Sequence, residues 1–580
     1  MTIALTALLA LSASPSGPSI SDPTEILVDL RDDTTDADAQ DLGRAHGLRL
    51  RLNSPQAVDE RFFVAPVAPS RFETLVKALR KDPRVENVEP NWVYGLPRGE
   101  NLASPSELPE EVEPTKGPRP PNDPLWPKQW SFRMVDAPEA WTRANNRGVV
   151  VAVIDTGVAF EKYKKFRLVE DLDGTRFVEG YNFISDTKHA NDDHGHGTHV
   201  AGTIAQSTFN GRGVAGLAYE AKIMPLKVLS KRGFGTAGDI ADAIRFAADE
   251  GAHVMNLSLG GGPRSRVMES AVAYARKKGV LVICAAGNGG RARVEYPAAY
   301  PGAFAVSSVG PTKRLAFYSS YGPEVAVAGP GGDKNLGGDD GGILQNTIVA
   351  NRPELTNLYL SYQGTSMATP HVAGIAALVI SAGVTDAAKV EAILRETAED
   401  LGAGGRDDRF GHGLVNAAKA VEAAQASRGS WAHGLLAVIG LLGVALRRGV
   451  RLAGGRFAGA LVGASLGSGV LSALLPGLGW LVSAPLWDLG VLGAAAHFTA
   501  LWASAVPMLF LAIGLLAVPR LRGLLIGLSV GWAAHLGITA VAGGVDVLGI
   551  PGEAGWFDRA WLALQSILLF ALALRIARAR

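Results

Sequence analysis

Four polar side chains are of the types that together transfer acyl groups. They are Asp155 in VVVAVIDTGV, His196 in HGHGTHVAGTIA, Ser366 in GTSMATPHVAG and Asn288 in AAGN. A serine hydroxyl is a weak nucleophile until a base takes its proton, and an imidazole does so when a carboxylate holds it in one tautomer. A side-chain amide aimed at a developing oxyanion stabilises the transition state. These residue types predict acyl transfer by an activated serine.

The elements around these side chains are those of an α/β domain. Residues 123–425 alternate short apolar strands with amphipathic helical stretches, a pattern typical of a parallel sheet covered on both faces. Asp155 ends one strand and Asn288 follows another, so both are expected at the carboxyl edge, where open α/β sheets keep their sites. His196 and Ser366 begin helical stretches. The positive end of the Ser366 helix can stabilise an anion.

The motifs resemble those of the subtilisin-like serine peptidases, the S8 family. The Asp…His…Ser order is that of subtilisin, and NDPLWPKQW at 122–130 is similar to the mature amino-terminal stretch of the thermitase-like branch. The resemblance covers about residues 122–422. It implies a serine endopeptidase that hydrolyses peptide bonds in proteins through an acyl-enzyme, with these catalytic residues: Asp155, His196, Ser366 and Asn288.

The same resemblance implies which residues bind substrate. NLSLGG and AAG are similar to the backbone strips that line the family's primary specificity pocket, and KVLSKRGFG is similar to the edge strand that pairs with an extended substrate. We expect a broad, apolar pocket and protein or peptide substrates. The implied substrate-binding residues are Ser258, Leu259, Gly260, Ala285, Ala286, Gly287 and Gly233.

A calcium site is a further implication of the resemblance. STFNGRGVAG resembles the family's calcium loop and places Asn210 as a ligand, with Asp123 and Asp171 as carboxylate ligands. Such hard oxygen ligands suit Ca²⁺. Asp173 is an alternative to Asp171, and plain loop turns are the alternative to a metal site. The acidic loop 331–342 is expected either to bind a second ion or to be a flexible loop.

Residues 24–97 are predicted to form a small unit of their own. Their strand and helix patterns follow the order βαββαβ, which suggests a ferredoxin-like domain. The unit resembles the inhibitor-type propeptide of the family, so we expect a self-processed precursor in which it blocks the cleft. Residues 98–122 are a Pro-rich linker, and the processing cut is expected between about Leu96 and Asn122.

The amino-terminal sequence predicts export, and the carboxyl-terminal sequence predicts membrane-spanning segments. Residues 1–20 resemble a signal peptide, and residues 431–580 hold ten Arg, four acids and about five apolar spans, near 431–446, 457–475, 489–517, 521–543 and 558–576. Arginines cluster on one side of such a five-span domain, which the positive-inside rule makes cytoplasmic. We expect a multi-pass cell-membrane protein with the peptidase domain on the extracytoplasmic side.

Several other interpretations compete with these predictions. Asp155-Thr-Gly is also the aspartic-peptidase triplet, but no second copy occurs. Ser465 lies in a Gly-x-Ser-x-Gly motif within the membrane region, where small residues more often serve helix packing. His199 is expected to serve packing or to support the catalytic residues, His371 to support the Ser366 helix, and Cys284 to lie in the core. No arginine-rich tract suggests a nucleic-acid partner. The competing function is a membrane assembly or transport protein that carries an inactive peptidase-like domain.

Overall fold

The computed structural model describes residues 24–58, 60–97, 121–144, 148–349, 352–446, 455–468, 498–499, 505–515, 518–542, 547–548 and 556–578. The predicted signal peptide (1–20) lies outside the described residues, as does the linker (98–122) up to residue 120. The chain divides into two compact units, Met1–Val421 and Glu422–Arg580.

The first unit begins with a four-stranded antiparallel sheet in the order β2-β3-β1-β4. Buried side chains such as Ile26, Leu42 and Phe63 form its core. The elements are β1 (Glu25–Leu30), α1 (Asp36–His46), β2 (Arg51–Leu52), β3 (Phe62–Pro66), α2 (Phe72–Leu79), β4 (Val85–Pro90) and β5 (Val93–Gly95).

The last strand of the predicted βαββαβ unit, VENVEPNWVYGL at 85–96, is divided between two sheets. β4 pairs with β1, whereas β5 leaves the small sheet and pairs with a strand at 234–236 in the rest of the unit. The cause is tertiary, because the partner of β5 lies about 140 residues further along the chain.

A parallel sheet dominates the remainder of the first unit. Its strands follow the order β14-β13-β12-β11-β6-β9-β7, β8 also pairs with β9, and every pair is parallel. The strands in this region are β6 (Val150–Asp155), β7 (Arg176–Phe177), β8 (Tyr181–Asn182), β9 (Lys222–Lys227), β10 (Phe234–Thr236), β11 (Val254–Leu257), β12 (Leu281–Ala285), β13 (Ala303–Val309), β14 (Val325–Pro330) and the hairpin β15 (Ile343–Thr347) with β16 (Leu358–Tyr362).

Helices cover both faces of this sheet. Ala152, Met255 and their neighbours on one face share a buried cluster with side chains of α6 and α7. The alternate residues, such as Val153, point to the opposite face, and α5 and α8 contact the sheet as well as each other. The predicted α/β class with a mostly parallel sheet is therefore confirmed. The helices are α3 (Trp130–Met134), α4 (Ala137–Trp141), α5 (His196–Ala205), α6 (Ala237–Asp249), α7 (Arg266–Lys277), α8 (Thr365–Ser381) and α9 (Ala387–Glu396).

The second unit consists mainly of apolar helices. They are α10 (Ala417–Ala445, which begins before the division at residue 421), α11 (Gly455–Ser468), α12 (Val506–Leu515), α13 (Arg522–Ala542) and α14 (Trp556–Arg578). A Cβ added to Gly527 in α13 would lie 2.1 Å from the Ala460 carbonyl of α11, so a small residue lets these helices approach closely.

Within the described residues, one helix, Arg559–Arg578, is long and apolar enough to cross a membrane. Much of the predicted second and third spans lies outside the described residues. The five-span arrangement stays a prediction.

Candidate active site

The carboxyl end of β6 brings Asp155 against the first residue of α5, His196. Asp155 Oδ1 lies 2.7 Å from His196 Nδ1, and the Thr156 backbone N–H donates to the same oxygen at 2.6 Å. Both side chains are buried, at 0% and 1% exposed. Because a carboxylate only accepts hydrogen bonds, Nδ1 donates to Asp155 and the lone pair resides on Nε2. This tautomer is the one that a general base requires.

Ser366 lies in the first turn of α8, next to the residue that follows β11. Its Oγ donates to the Ser258 carbonyl at 3.3 Å, and Ser258 Oγ donates to the Ser366 carbonyl at 2.8 Å. Thr365 Oγ1 accepts the Gly287 N–H at 3.2 Å. The start of α8 is therefore bonded to the chain following both β11 and β12, at the same sheet edge as Asp155.

Asn288 presents a spare hydrogen-bond donor beside this turn. Its Oδ1 accepts the Thr365 N–H at 2.9 Å and the Thr365 hydroxyl at 2.8 Å. Its Nδ2 is buried and has no hydrogen-bond partner among the described residues. An unused buried donor is costly. Such a donor is suited to stabilise a group that gains negative charge only during a reaction.

Two backbone segments, residues 258–260 and 285–287, extend from the adjacent parallel strands β11 and β12. Ser258, Leu259, Ala285 and Ala286 are at most 1% exposed, so both segments are covered in this structure. Gly233, which precedes β10, lies on the side of the cleft opposite Gly260.

The cleft holds a strand from the amino-terminal unit. Gly95 and Gly260 exchange two hydrogen bonds, of 3.0 and 2.8 Å, and the Leu96 N–H donates to the Gly233 carbonyl at 2.9 Å. β5 also pairs antiparallel with β10. Residues 93–96 therefore form the middle strand between the Gly233 and Gly260 sides.

Sequence reasoning missed Tyr94, which anchors this strand. The side chain is 0% exposed, and its Oη donates to the Pro263 carbonyl at 2.5 Å. A Cβ added to Gly262 would lie 2.6 Å from the Tyr94 ring, so the ring rests directly on that backbone. Nothing in the local pattern of Tyr94 marks it, because its pocket is formed by residues about 170 positions away.

His199, His371 and Cys284, which we expected to be structural or supporting residues, are all buried. Burial lowers the pKa of His199 to about 3 and that of His371 to about 4, so both imidazoles are neutral at pH 7. His199 Nε2 is 2.9 Å from the Ile343 carbonyl, and His371 Nδ1 is 2.8 Å from the Met367 carbonyl. Burial also raises the pKa of the Cys284 thiol, which makes it unreactive. These predictions are confirmed.

Asp123, Asp171 and Asn210 lie together. The Asp123 carboxylate accepts the Phe209 N–H at 3.1 Å and the Asn210 N–H at 3.4 Å. Asp171 accepts from Asn210 Nδ2 at 2.8 Å. Burial raises the pKa of Asp123 to about 6 and that of Asp171 well above its usual range. Asp173 is exposed, so Asp171 is the carboxylate in this cluster.

Comparison with known proteins decides the family. The Peptidase_S8 model, described as the subtilase family, matches residues 146–413. Thermitase from Thermoactinomyces vulgaris is 38% identical over 52% of this chain and 99% of its own length. The chain belongs to the subtilase family. The thermophilic serine proteinase of Bacillus sp. strain AK1 is 37% identical over 60% of this chain and 76% of that protein.

A solved structure agrees with this assignment. Fervidolysin from Fervidobacterium pennivorans, described as a keratinolytic enzyme related to subtilisin, has a TM-score of 0.56 and 27% identity over 69% of this chain and 61% of its own. The subtilase described here is a subtilisin-like serine protease with the parallel α/β fold of its family.

Proposed function

We propose that this subtilase is a serine endopeptidase whose nucleophile is Ser366. The observation that carries the proposal is the buried 2.7 Å contact between Asp155 and His196, at the same sheet edge as Ser366. His196 Nε2 takes the Ser366 proton as Oγ attacks the scissile carbonyl, and then gives it to the leaving amine. Asp155 stabilises the imidazolium. Asn288 Nδ2 donates to the oxyanion, and water releases the acyl-enzyme.

Ser366→Ala tests this assignment in the full precursor. We expect no self-processing and no casein hydrolysis, because the acyl-enzyme cannot form. Asn288→Ala retains the nucleophile, so its kcat is expected to fall by about 10²- to 10³-fold, a range that comes from subtilisin itself. Activity is followed by gel mobility and peptide release. A folded wild-type chain that neither processes nor hydrolyses casein would instead favour a membrane protein with an inactive peptidase-like domain.

We further propose that residues 24–97 are an inhibitory propeptide that occupies the place of substrate. Their β5 segment supports this, because it supplies the middle strand of the cleft. Two other contacts fix the unit to the helices behind it. Glu89 accepts the Arg266 N–H at the start of α7 (3.0 Å), and Asn91 Oδ1 accepts the Gly238 N–H at the start of α6 (3.0 Å). Both satisfy donors that helix starts leave open.

The Tyr94 pocket provides a test of that inhibition. A separately produced 24–97 fragment is expected to inhibit the mature peptidase. Tyr94→Ala is expected to weaken inhibition by about 100-fold or more, because emptying a buried aromatic site costs about 3–5 kcal/mol. Lys77→Ala, at an exposed position on α2, is the control. Equal inhibition constants for the Tyr94→Ala and unaltered fragments would show that the strand is not held as described.

Residues Asp123, Asp171 and Asn210 are proposed to hold a structural Ca²⁺. Two buried carboxylates with raised pKa values fit such an ion, because its charge would offset the cost of their ionisation. A half-turn of the Asn210 amide would replace its donor by an oxygen ligand. When bound, Ca²⁺ would connect the 208–214 loop to the amino-terminal stretch of the peptidase.

Removal of calcium should therefore lower thermal stability. In the Ser366→Ala protein, which cannot digest itself, we expect a chelator to lower Tm by about 5–10 °C relative to saturating calcium, since ligand at about 100 times Kd contributes about 2.7 kcal/mol. Asp123→Asn should abolish the difference, whereas Asp173→Asn, an exposed neighbour, should retain it. The same Tm with and without calcium in the unaltered protein would exclude the site.

We also propose that the second unit anchors an exported peptidase in the cell membrane. The apolar helix Arg559–Arg578 and the arginine clusters support this, and a relative from Xanthomonas campestris, 35% identical over 61% of this chain, is described as an extracellular protease. Reporter fusions after Ser427 and after Arg580 should lie on opposite faces, with the latter cytoplasmic. Both reporters on one face would contradict five spans.

A further inference from the structure

The gap between the 258–260 and 285–287 segments has a floor formed by Glu295 and Tyr296. The Glu295 N–H donates to the Ala286 carbonyl at 3.0 Å. The next residue, Tyr296, forms an antiparallel bridge with Gly262 on the opposite side. Glu295 and Tyr296 thus bond to opposite sides of the gap, so Glu295 lies between the two sides.

The two segments form the walls of the gap, and the Glu295 side chain lies against one glycine of each, Gly287 and Gly260. A Cβ added to Gly287 would lie 2.5 Å from Glu295 Cδ and 2.8 Å from Oε2. A Cβ added to Gly260 would lie 3.3 Å from the same Oε2. The side chain can lie against the Gly287 backbone only because Gly287 has no side chain, and at Gly260 an added Cβ would be a tight contact. Glu295 is half-buried, so its charge is incompletely screened by water.

The strand register shows which substrate residue meets this carboxylate. Gly95 pairs with Gly260, so Pro97, two residues further on, falls opposite Ser258 in the same antiparallel register. Ser258 is also the residue whose carbonyl accepts the Ser366 hydroxyl. The acyl carbon of a substrate residue at this position therefore lies beside the nucleophile. The side chain of the same residue lies beside the gap between the two segments. This residue is P1, the one on the acyl side of the cut.

We propose that Glu295 makes this subtilase select lysine or arginine at P1, an inference that rests on the proposed endopeptidase function. A long cationic side chain can extend its alkyl stem between the backbone walls and place its charge against the carboxylate. An apolar P1 side chain would instead offer the carboxylate neither an opposite charge nor a hydrogen bond. The proposal therefore replaces the broad apolar pocket expected from the sequence by a pocket with a negatively charged floor.

Peptide amides that differ only at P1 test the proposal in the processed enzyme. Lys and Met are the informative pair, because their side chains are both unbranched but differ in charge. We expect kcat/KM for Lys to exceed that for Met by about tenfold, equivalent to about 1.4 kcal/mol, and Glu295→Gln to bring the ratio close to one. Glu295→Lys should reverse the preference, favouring a P1 Glu over Met.

Glu250→Gln is the matched control. It removes the same charge at an exposed residue that follows α6, and it should leave the ratio unchanged. Rates are normalised to titrated active sites, so partial misfolding of a variant does not alter the ratio. A wild-type preference for Met, or a Lys:Met ratio that Glu295→Gln does not lower, would overturn the proposal. Wild-type enzyme inactive on every peptide would refute the endopeptidase function instead.

Discussion

The buried contact between Asp155 and His196 is the interaction on which the rest of the site depends. A carboxylate out of water is costly unless hydrogen bonds stabilise it, and here the imidazole and the Thr156 N–H both donate to Oδ1. The contact requires α5 to approach β6 very closely. Gly197 permits this, since a Cβ there would lie 2.2 Å from the Gly157 carbonyl and 3.1 Å from Asp155 Cβ.

The parallel sheet also places Ser366 and Asn288 at the same edge. Adjacent strands β11 and β12 end side by side, so the chain that follows them forms two backbone walls, and α8 begins between them with Ser366. Recognition through backbone hydrogen bonds tolerates many sequences. In the proposed enzyme, selectivity then rests on the few side chains in the cleft, such as Glu295 of the peptidase domain and Tyr94 of the bound amino-terminal unit.

Those aspects of the fold that depend on local pattern could be predicted from the sequence. Apolar strands separated by amphipathic helices predicted the parallel α/β sheet, and Asp155 does end a strand while His196 does begin a helix. Features that depend on distant partners could not. The separation of β5 from β4, the pocket of Tyr94 and the position of Glu295 between two walls all arise from segments far apart in the chain. The choice between Asp171 and Asp173 likewise required knowing which side chain is buried.

The central claim is that Ser366 is the nucleophile and that His196 activates it. Mass spectrometry of the wild-type enzyme after reaction with a fluorophosphonate measures this directly, because the reagent labels activated serines. We predict one adduct, on the peptide that contains Ser366, and its loss in His196→Ala. An adduct on another serine, such as Ser465, or equal labelling of Ser366 without His196, would contradict the account.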